Sequence, residues 1–500
     1  MEKRKSIILV TVDCLRFDHV SFMGYSRPTT PFLDSLAQES FVIPTAIVAG
    51  APTYYSFPSI LASRYPLALG REVLGIGPDE PTLASVLREA GYATAAFAAA
   101  NPYISSRFGY DRGFGTLRDF LENEPASLVE KNVETETGQG WTSRLNRGLQ
   151  RMRPVMGPFG PVYDELYFRY CQRVTPVPDS FDALRRFPAA DEIVDHACTW
   201  FASAGTAPFF LWLHLMDPHS PYYPKADALA LMGDRLATPF EARYVNSYWN
   251  RSDLGPERFA RRRDEIVRLY DGGIRWVDEQ MARLVRKLRA ANLWDDCIFV
   301  LTADHGEEFL DHGGRYHSPS RLTEELIHVP LLLRVPGAGK NDVSKAPFSL
   351  LHLAPTLLQA ASVPTAREFQ GRGYWHELEK GTKFDSVVVS ECVAGCTNPF
   401  SPLHRMGPRV LSVRELRFKL LLHFDPQADL LYDLEADPGE QKPLLSAEQK
   451  PVRRRLLEMA REHVARSYGE RDWKRRLQAR LRDLRLEWTD PARRVSAAAS

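Results

Sequence analysis

The 500-residue sequence predicts an α/β protein with a large, mostly parallel sheet flanked by helices. Short apolar runs alternate with helical patterns, as they do in sheets whose strands are joined by crossover helices. After about residue 375 the apolar runs become closely spaced. That change predicts a smaller antiparallel sheet packed beside the main one.

Five apolar runs are the predicted strands of the main sheet. They are SIILVTV (6–12), ATAAFAA (93–99), PFFLWLHL (208–215), CIFVLT (297–302) and VPLLLRV (329–335). The best helical pattern lies at 256–291, where apolar residues recur at steps of three and four. We expect one long helix there, with a single buried stripe formed by Ile266, Leu269, Ile274, Val277, Met281, Leu284 and Leu288.

The same patterns divide the chain into three predicted regions: a main domain at 1–375, a small α+β subdomain at 376–445 and an Arg-rich helical tail at 446–500. Residues 115–190 break the alternation of strands and helices. We interpret them as an insertion, either a lid or a surface excursion. The tail is expected to be a solvated helix, and an oligomer contact or a contact with an acidic partner would explain its arginines equally well.

Composition excludes several classes of protein. With 64 basic and 63 acidic side chains the net charge is +1, so nothing global attracts nucleic acid or an anionic membrane. The apolar run near the N-terminus stops at Asp13, too early for most signal peptides, and no window has the roughly twenty apolar residues of a membrane span. Six scattered cysteines form no disulfide framework. We therefore expect a soluble, cytoplasmic protein.

Polar clusters follow the predicted strands, where open α/β sheets bind ligands. Asp13 ends the first run, and the run CIFVLT leads into TADHGEEF, with Asp304 and His305. Carboxylate oxygen and imidazole nitrogen are ligands for one divalent cation such as Zn²⁺, Mn²⁺, Mg²⁺ or Ca²⁺. Each residue also has an ordinary alternative, because an Asp after a strand is often a helix cap and a lone His is often structural.

The stretch AGAPTYYSFPSILASRYP (49–66) places Thr53 ahead of a predicted helix. A free hydroxyl is a poor nucleophile, and coordination to a metal is one way to activate it. Thr53 could therefore complete the metal's ligand set and attack a phosphoryl or sulfuryl group. His219, in MDPHSP with Asp217, and His317 could hold substrate oxygens or protonate the leaving group.

Taken together, these motifs resemble the sulfatase branch of the alkaline phosphatase superfamily. The resemblance rests on VTVDCLRFDHVSFMGYSRPTTPFLDSLA, PSILASRYP, FLWLHLMDPHSPYYP, TADHGEEFLDHG, ELIHVPLLLRVPG and LYDLEADPGEQ, in family order. It covers about residues 6–115 and 190–442 and implies an alkaline-phosphatase-like fold. It also implies that Asp13, Asp304 and His305 are metal ligands, that Thr53 stands at the nucleophile position and that His219 and His317 contact the substrate.

The sequence departs from the sulfatase pattern at three places: the formylglycine motif, the residue after Asp13 and the segment AAANPY. Thr53, Tyr55 and Phe57 stand where the formylglycine motif C/S-x-P-x-R would be, and a threonine cannot give the aldehyde because its Cβ carries a methyl group. Cys14 replaces the second Asp of the usual pair, and AAANPY lacks the lysine that many relatives carry. We therefore expect no formylglycine.

Three functions remain open at this point. The first is metal-dependent cleavage of a phosphate ester, a diester by preference, through a phospho-threonine at Thr53, by a hydrolase or a transferase. The second is sulfate ester hydrolysis without formylglycine, by Thr53 or Ser56. The third is a non-catalytic binder of an anionic sugar or lipid headgroup. The substrate is expected to be a small molecule or a glycan or lipid ester.

Overall fold

The computed structural model of the chain describes residues 4–121 and 159–467, except 204, 206, 236, 339–342, 385–386, 402 and 425–426. Much of the predicted insertion at 115–190 and the end of the tail at 446–500 therefore lie outside the described residues. The described helices, in chain order, are α1 Pro31–Ala37, α2 Thr53–Ala62, α3 Leu83–Glu89, α4 Gly160–Val174, α5 Ala190–Ser203, α6 Ala226–Leu231, α7 Pro239–Trp249, α8 Pro256–Ala260, α9 Arg263–Ala290, α10 Glu324–Ile327, α11 Leu353–Ala360, α12 Trp375–Lys380 and α13 Lys450–Ser467.

The strands fall into a main sheet, a small sheet and minor pairings. They are β1 Ser6–Val12, β2 Phe41–Val42, β3 Ala46–Ile47, β4 Ala93–Ala98, β5 Thr116–Arg118, β6 Phe209–Leu215, β7 Cys297–Ala303, β8 Glu308–Phe309, β9 Arg315–Tyr316, β10 His328–Val329, β11 Leu331–Arg334, β12 Phe348–Ser349, β13 Val387–Val393, β14 Arg409–Glu415, β15 Phe418–Phe424 and β16 Gln427–Asp433.

The main sheet has seven strands in the order β2-β11-β7-β1-β6-β4-β5. Strands β7, β1, β6, β4 and β5 are mutually parallel, which confirms the predicted α/β class with its mostly parallel sheet. The run VPLLLRV differs, because β11 pairs with β7 antiparallel. The chain from β7 to β11 carries only short elements and no crossover helix, so it re-enters the sheet from the end at which β7 left it.

Strand β1 lies at the centre of the main sheet, and all seven of its residues are buried. It reads as a continuous apolar run because helices cover both faces of a parallel sheet. Its register pairs Val12 with Ala303 of β7 and with Leu215 of β6. The residues that follow these strands, Asp13 and Asp304 among them, therefore emerge side by side at one edge of the sheet.

The predicted long helix is two helices. The longer one, α9, begins at Arg263 rather than at 256, because the short α8 ends at Ala260 before the chain turns. The predicted buried stripe is confirmed, because every one of its seven apolar residues is at most 5% exposed. Helix α9 also lies close to the loop after β6: a Cβ on Gly273 would sit 2.5 Å from the Asp217 carbonyl oxygen.

Strands β13–β16 form the predicted small antiparallel sheet. One face, with Val388 and Val410, packs against the core of the main sheet. The other face, with Val389 and Leu411, packs under α13. Both faces of this sheet are thus covered by other parts of the chain.

Across the described part of the chain, no helix combines the length and the apolar character that a membrane span requires.

Candidate active site

Four predicted site residues meet at the carboxyl edge of the main sheet. Asp13 follows β1, Asp304 and His305 follow β7, and Thr53 is the first residue of α2. All four are buried. Residue 306 must be glycine because the backbone approaches α10 closely here: a Cβ on Gly306 would lie 1.9 Å from the Glu325 carbonyl oxygen.

The orientation of His305 is set by its own loop. Its Nδ1 lies 2.8 Å from the carbonyl oxygen of Gly306, which can only accept, so Nδ1 carries the proton. In the neutral ring Nε2 then has a free lone pair. That atom lies 3.1 Å from Thr53 Oγ1, 3.7 Å from Asp13 Oδ1 and 3.6 Å from Asp304 Oδ2.

The two carboxylates disfavour each other's charge. Burial raises the pKa of Asp13, but the nearby His219, His214 and His305 outweigh burial and hold it well below its ordinary value. Burial and the charge of Asp13 raise the pKa of Asp304 to about 8. Burial also lowers the pKa of His305 to about 4, which keeps its imidazole neutral. Without a cation, therefore, only one of the two carboxylates is charged at neutral pH.

This donor set fits the divalent cation that the family resemblance implies. Asp304 Oδ2 is buried and has no hydrogen-bond partner among the described residues. The donor atoms around His305 Nε2 lie at the separations, about 3–4 Å, of ligands that share one metal ion. A cation would also remove the conflict between the two carboxylates. Asp13, Thr53, Asp304 and His305 are thus suited to hold it.

Thr53 stands at the N-terminus of the ten-residue helix α2. Unpaired backbone N–H groups and the helix dipole favour an anionic group at such a position. Besides Thr53, the two other positions that depart from the formylglycine motif, Tyr55 and Phe57, lie in the interior. The Tyr55 side chain is fully buried, and the Phe57 ring packs 5.4 Å from Trp212 and 5.2 Å from His214, between ring centroids. A guanidinium at residue 57 would therefore be buried among aromatic rings.

His219 and His317 stand on the solvent side of this cluster, both half-buried. Their ring centroids are 5.2 Å apart, and His317 lies 4.7 Å from His305. His219 donates from Nδ1 to the Ser220 carbonyl oxygen at 2.5 Å, which leaves its Nε2 free. His317 Nδ1 lies 3.2 Å from Glu307 Oε2. Burial lowers the pKa of His317, but the Glu307 carboxylate outweighs burial and raises it to about 9.

Three residues of the site were not predicted from the sequence. His214, within β6, lies 3.3 Å from Asp13 Oδ2 through its Nε2, and Asn101 donates to the same oxygen at 3.0 Å. Glu307 is fully buried behind His317. A histidine inside an apolar strand and a second acid after Asp304 were the available signals. Asn101, in the segment AAANPY, carried no such signal.

Asp217 does not join the cluster. It is buried and accepts a hydrogen bond from Arg185 at 2.6 Å between Oδ1 and Nη2. Arg185 also donates to the carbonyl oxygen of Tyr223 at 2.7 Å. Asp217 therefore ties the described end of the 115–190 segment to the loop that carries His219, which is a positioning role.

Comparisons with known proteins bear on this geometry. The family model Sulfatase matches residues 5–363, and the model "N-sulphoglucosamine sulphohydrolase, C-terminal" matches residues 314–465. The chain is 22% identical over 483 residues to the multifunctional alkaline phosphatase superfamily protein PehA of Trinickia caryophylli, with 87% of this chain and 90% of that protein aligned.

Solved structures share the fold. A structure of a protein in complex with its substrate D-glucosamine-2-N,6-O-disulfate has a TM-score of 0.68 at 18% identity and covers 94% of this chain and 99% of its own. The phosphonate monoester hydrolase of Silicibacter pomeroyi has a TM-score of 0.65 at 19% identity, with coverages of 93% and 96%. Because the sulfatase model matches well over half of its length, the chain belongs to the sulfatase family of the alkaline phosphatase superfamily and is an ester hydrolase of that superfamily.

Proposed function

We propose that this sulfatase-family hydrolase cleaves a phosphate ester, a diester by preference, with Thr53 as its nucleophile. The observation that carries the proposal is the place of Thr53: a buried hydroxyl at the start of α2, 3.1 Å from His305 Nε2 and beside two carboxylates. Ser56, the alternative in the sequence, is fully buried and donates to the Thr53 carbonyl oxygen at 3.1 Å.

In the proposed reaction Thr53 Oγ1 forms a bond to phosphorus while the bond from phosphorus to the leaving oxygen breaks. The product is a phospho-threonine, which water or another acceptor then cleaves, and the acceptor decides between hydrolase and transferase. The N-terminus of α2 faces the negative charge of the phosphoryl group. His219 and His317 are placed to hold its oxygens, or to protonate the leaving oxygen.

One divalent cation would be held by Asp13, Thr53, Asp304 and His305. When bound, it would supply positive charge that favours the ionised Thr53 hydroxyl and offsets charge on the transferred group. Zn²⁺, Mn²⁺, Mg²⁺ and Ca²⁺ are the candidates. The absence of formylglycine is part of the proposal, because the threonine methyl group excludes the aldehyde.

Hydrolysis of a sulfate ester is the second candidate. Two findings favour it: the match to the C-terminal model of N-sulphoglucosamine sulphohydrolase and the fold shared with a protein whose substrate is a disulfated glucosamine. In this candidate Thr53 attacks sulfur in place of phosphorus. A glycan ester would then be the substrate, whereas a small-molecule or lipid ester suits the first candidate equally well.

The test is turnover on aryl phosphate, phosphodiester, phosphonate and sulfate, each with Mn²⁺, Zn²⁺, Mg²⁺ or Ca²⁺. Thr53→Ala should lower kcat/KM on the preferred substrate by about 10³-fold or more, because it removes the nucleophile. Thr53→Ser should retain activity. Ser56→Ala is the matched control on the same helix and should behave as the wild type.

Each outcome has a meaning. Phosphodiester or phosphonate cleavage that disappears in Thr53→Ala supports the proposal, and sulfate release that disappears supports the second candidate. Full activity in Thr53→Ala contradicts both. Absence of turnover on every substrate would favour either the third possibility, a non-catalytic binder of an anionic sugar or lipid headgroup, or a transferase that needs its own acceptor.

We also propose a cytoplasmic location and no nucleic-acid partner. All six cysteines are free thiols in the structure, and the net charge is +1. Free thiols are typical of a reducing compartment. Mass spectrometry of thiols alkylated in the native cells would test the location, since oxidised or glycosylated protein would contradict it.

A further inference from the structure

Helix α4 carries an apolar stripe that faces solvent. Val162, Leu166, Tyr170 and Val174 follow one another at steps of four residues, which places them on one face of the helix. Together with Phe159, directly before α4, they are between 45% and 73% exposed. Five of the thirteen large apolar side chains exposed in the described part of the chain therefore stand within sixteen residues. A cluster of this kind marks a surface that something else covers.

The opposite face of α4 is fixed to the protein. Glu165 accepts hydrogen bonds from Arg251 at 2.8 Å and from Arg258 at 2.9 Å. The Phe168 ring packs against the ring of Tyr244 on α7, with 5.4 Å between the centroids. The helix is therefore anchored through one face, while the apolar stripe points away from the protein.

The charge beside the stripe is positive. Arg169 and Arg173 are exposed on the same helix. The chain enters α4 from residues 137–158, a stretch with four arginines and no aspartate or glutamate. On α4 itself, Glu165 is already the shared partner of Arg169 and of two further arginines. Exposed apolar side chains next to surplus arginine are typical of helices that lie on anionic lipid.

A second copy of the chain suits this surface less well. In a symmetric dimer the same face meets itself, so the arginines of the two copies would stand side by side. Helix α4 has 15 residues. A helix of that length is about 22 Å long and about 10 Å wide, so one side of it presents roughly 200 Å². A stable dimer buries about 800 Å² per partner, so charge and area both favour a lipid surface.

The chain connects the stripe directly to the candidate active site. Arg243 of α7 donates to the Thr175 carbonyl oxygen at 3.0 Å and so fixes the C-terminal end of α4. The same segment continues to Phe187, whose ring lies 5.2 Å from the His219 ring, between centroids. A surface that binds α4 would therefore be continuous with the solvent side of the site.

We propose that the apolar stripe of α4 docks the protein on an anionic lipid surface. The apolar side chains would enter the boundary between headgroups and acyl chains, while the arginines pair with lipid phosphates. Docking of this kind holds whichever ester is cleaved. One consequence rests on the proposed function: because the site is joined to the docked helix, its substrate would be a phosphoester of a lipid headgroup.

Sedimentation with lipid vesicles measures docking without turnover. The protein would be mixed with phosphatidylcholine vesicles that contain about 30% phosphatidylserine, and with phosphatidylcholine vesicles alone. We expect binding to the anionic vesicles that weakens as salt is added, and binding to the neutral vesicles that is weaker by about tenfold or more.

Two substitutions on α4 test the two parts of the surface. Leu166→Gln should weaken vesicle binding about tenfold, because it removes a leucine from the apolar contact. Arg173→Gln should weaken binding about fivefold, on the anionic vesicles only. The control is Leu445→Gln, which changes an exposed leucine in the loop before α13 and should bind as the wild type does.

Thr53→Ala distinguishes docking from catalysis. It should bind vesicles as the wild type does while losing turnover, and Leu166→Gln should keep wild-type turnover on soluble aryl substrates. Failure of the wild type to bind anionic vesicles would overturn the docking proposal, and so would undiminished binding of Leu166→Gln. It would equally be overturned by a wild-type dimer that Leu166→Gln dissociates, because the stripe would then belong to a contact between two copies.

Discussion

At the scale of single residues, the geometry of the site depends on the side chains that orient the Asp13 carboxylate. Its Oδ2 accepts from Asn101 Nδ2 at 3.0 Å and lies 3.3 Å from His214 Nε2. His214 is in turn held by Thr11, whose Oγ1 lies 3.0 Å from its Nδ1. Partners that orient a ligand in this way commonly change metal affinity or activity 10–100-fold when they are removed.

Asn101→Ala should therefore weaken binding of the catalytic cation about tenfold, measured by competition with a chelator, and lower kcat/KM by a similar factor. The reason is the loss of the hydrogen bond that fixes the Asp13 carboxylate. Ser105→Ala is the control, because the Ser105 hydroxyl donates to the Pro102 carbonyl oxygen in the same loop, at 2.9 Å. Equal effects of the two substitutions would mean that the loop, and not the bond to Asp13, matters.

At the scale of elements, β13 joins the small sheet to the loop that carries Thr53. Its Glu391 is fully buried, donates from its backbone N–H to the Ala49 carbonyl oxygen at 2.9 Å and accepts from the Leu67 N–H at 2.8 Å. His463 of α13 lies 2.8 Å from Glu391 Oε2, and Arg409 of β14 lies 3.1 Å from it. Glu391 thus ties both ends of the α2 segment to the small sheet, through its backbone N–H before α2 and through its carboxylate after it.

Glu391→Gln should lower the free energy of unfolding by about 3 kcal/mol at pH 7, because it removes the buried carboxylate charge that lies 3.1 Å from Arg409 Nη2. Burial raises the pKa of Glu391, but the bond to His463 and the charge of Arg409 outweigh burial and lower it below the ordinary 4.5. A lowered pKa stabilises the fold above about pH 4.5 and ceases to do so as pH falls through the folded-state value. The difference in free energy of unfolding between Glu391→Gln and the wild type should therefore become smaller as the pH falls.

Urea unfolding at several pH values measures this difference. The control is Glu462→Gln, whose carboxylate is exposed and pairs with Arg466 one turn along α13 at 3.3 Å. Its effect should stay below about 0.5 kcal/mol. A deficit in Glu391→Gln that does not vary with pH would contradict the assigned role of the charge.

At the scale of the whole molecule, a buried lysine connects the small sheet to the loop of the site. Lys419 of β15 is fully buried, and its Nζ lies 3.0 Å from Glu324 Oε1 and 2.8 Å from Glu440 Oε1. Burial lowers the pKa of this lysine, but the two carboxylates outweigh burial and raise it. Glu324 begins α10, whose Leu326 carbonyl oxygen accepts from the Gly306 N–H at 2.9 Å.

Lys419→Met should lower the free energy of unfolding by about 3–5 kcal/mol, because the buried Glu440 carboxylate would lose the cation beside it while Glu324 would keep Arg414 at 2.5 Å. Chemical denaturation at pH 7, monitored by tryptophan fluorescence, would measure this loss of stability. The exposed Lys442→Met is the control and should change stability by less than about 0.5 kcal/mol. An unchanged midpoint for Lys419→Met would mean that the carboxylates are protonated or hydrated in the native state.

The sequence by itself determined the architecture and the proposed catalytic set. Apolar runs at strand length, the stripe of α9 and the acids after strands β1 and β7 are local patterns, and local patterns are legible without a structure. The ends of helices were harder to predict from the sequence, because nothing in residues 256–291 marks the turn between α8 and α9. The direction of β11 also followed from the path of the chain and not from its composition.

Only the tertiary structure decided which polar residues share a site. Asp13, Asn101 and His214 come from three separate segments of the chain, and their spacing in the sequence carries no distance information. Asp217 looked equivalent to His219 in sequence, yet it pairs with Arg185 and only supports the loop. Patterns report whether a residue is buried or follows a strand, whereas chemistry depends on distances between atoms that the fold alone brings together.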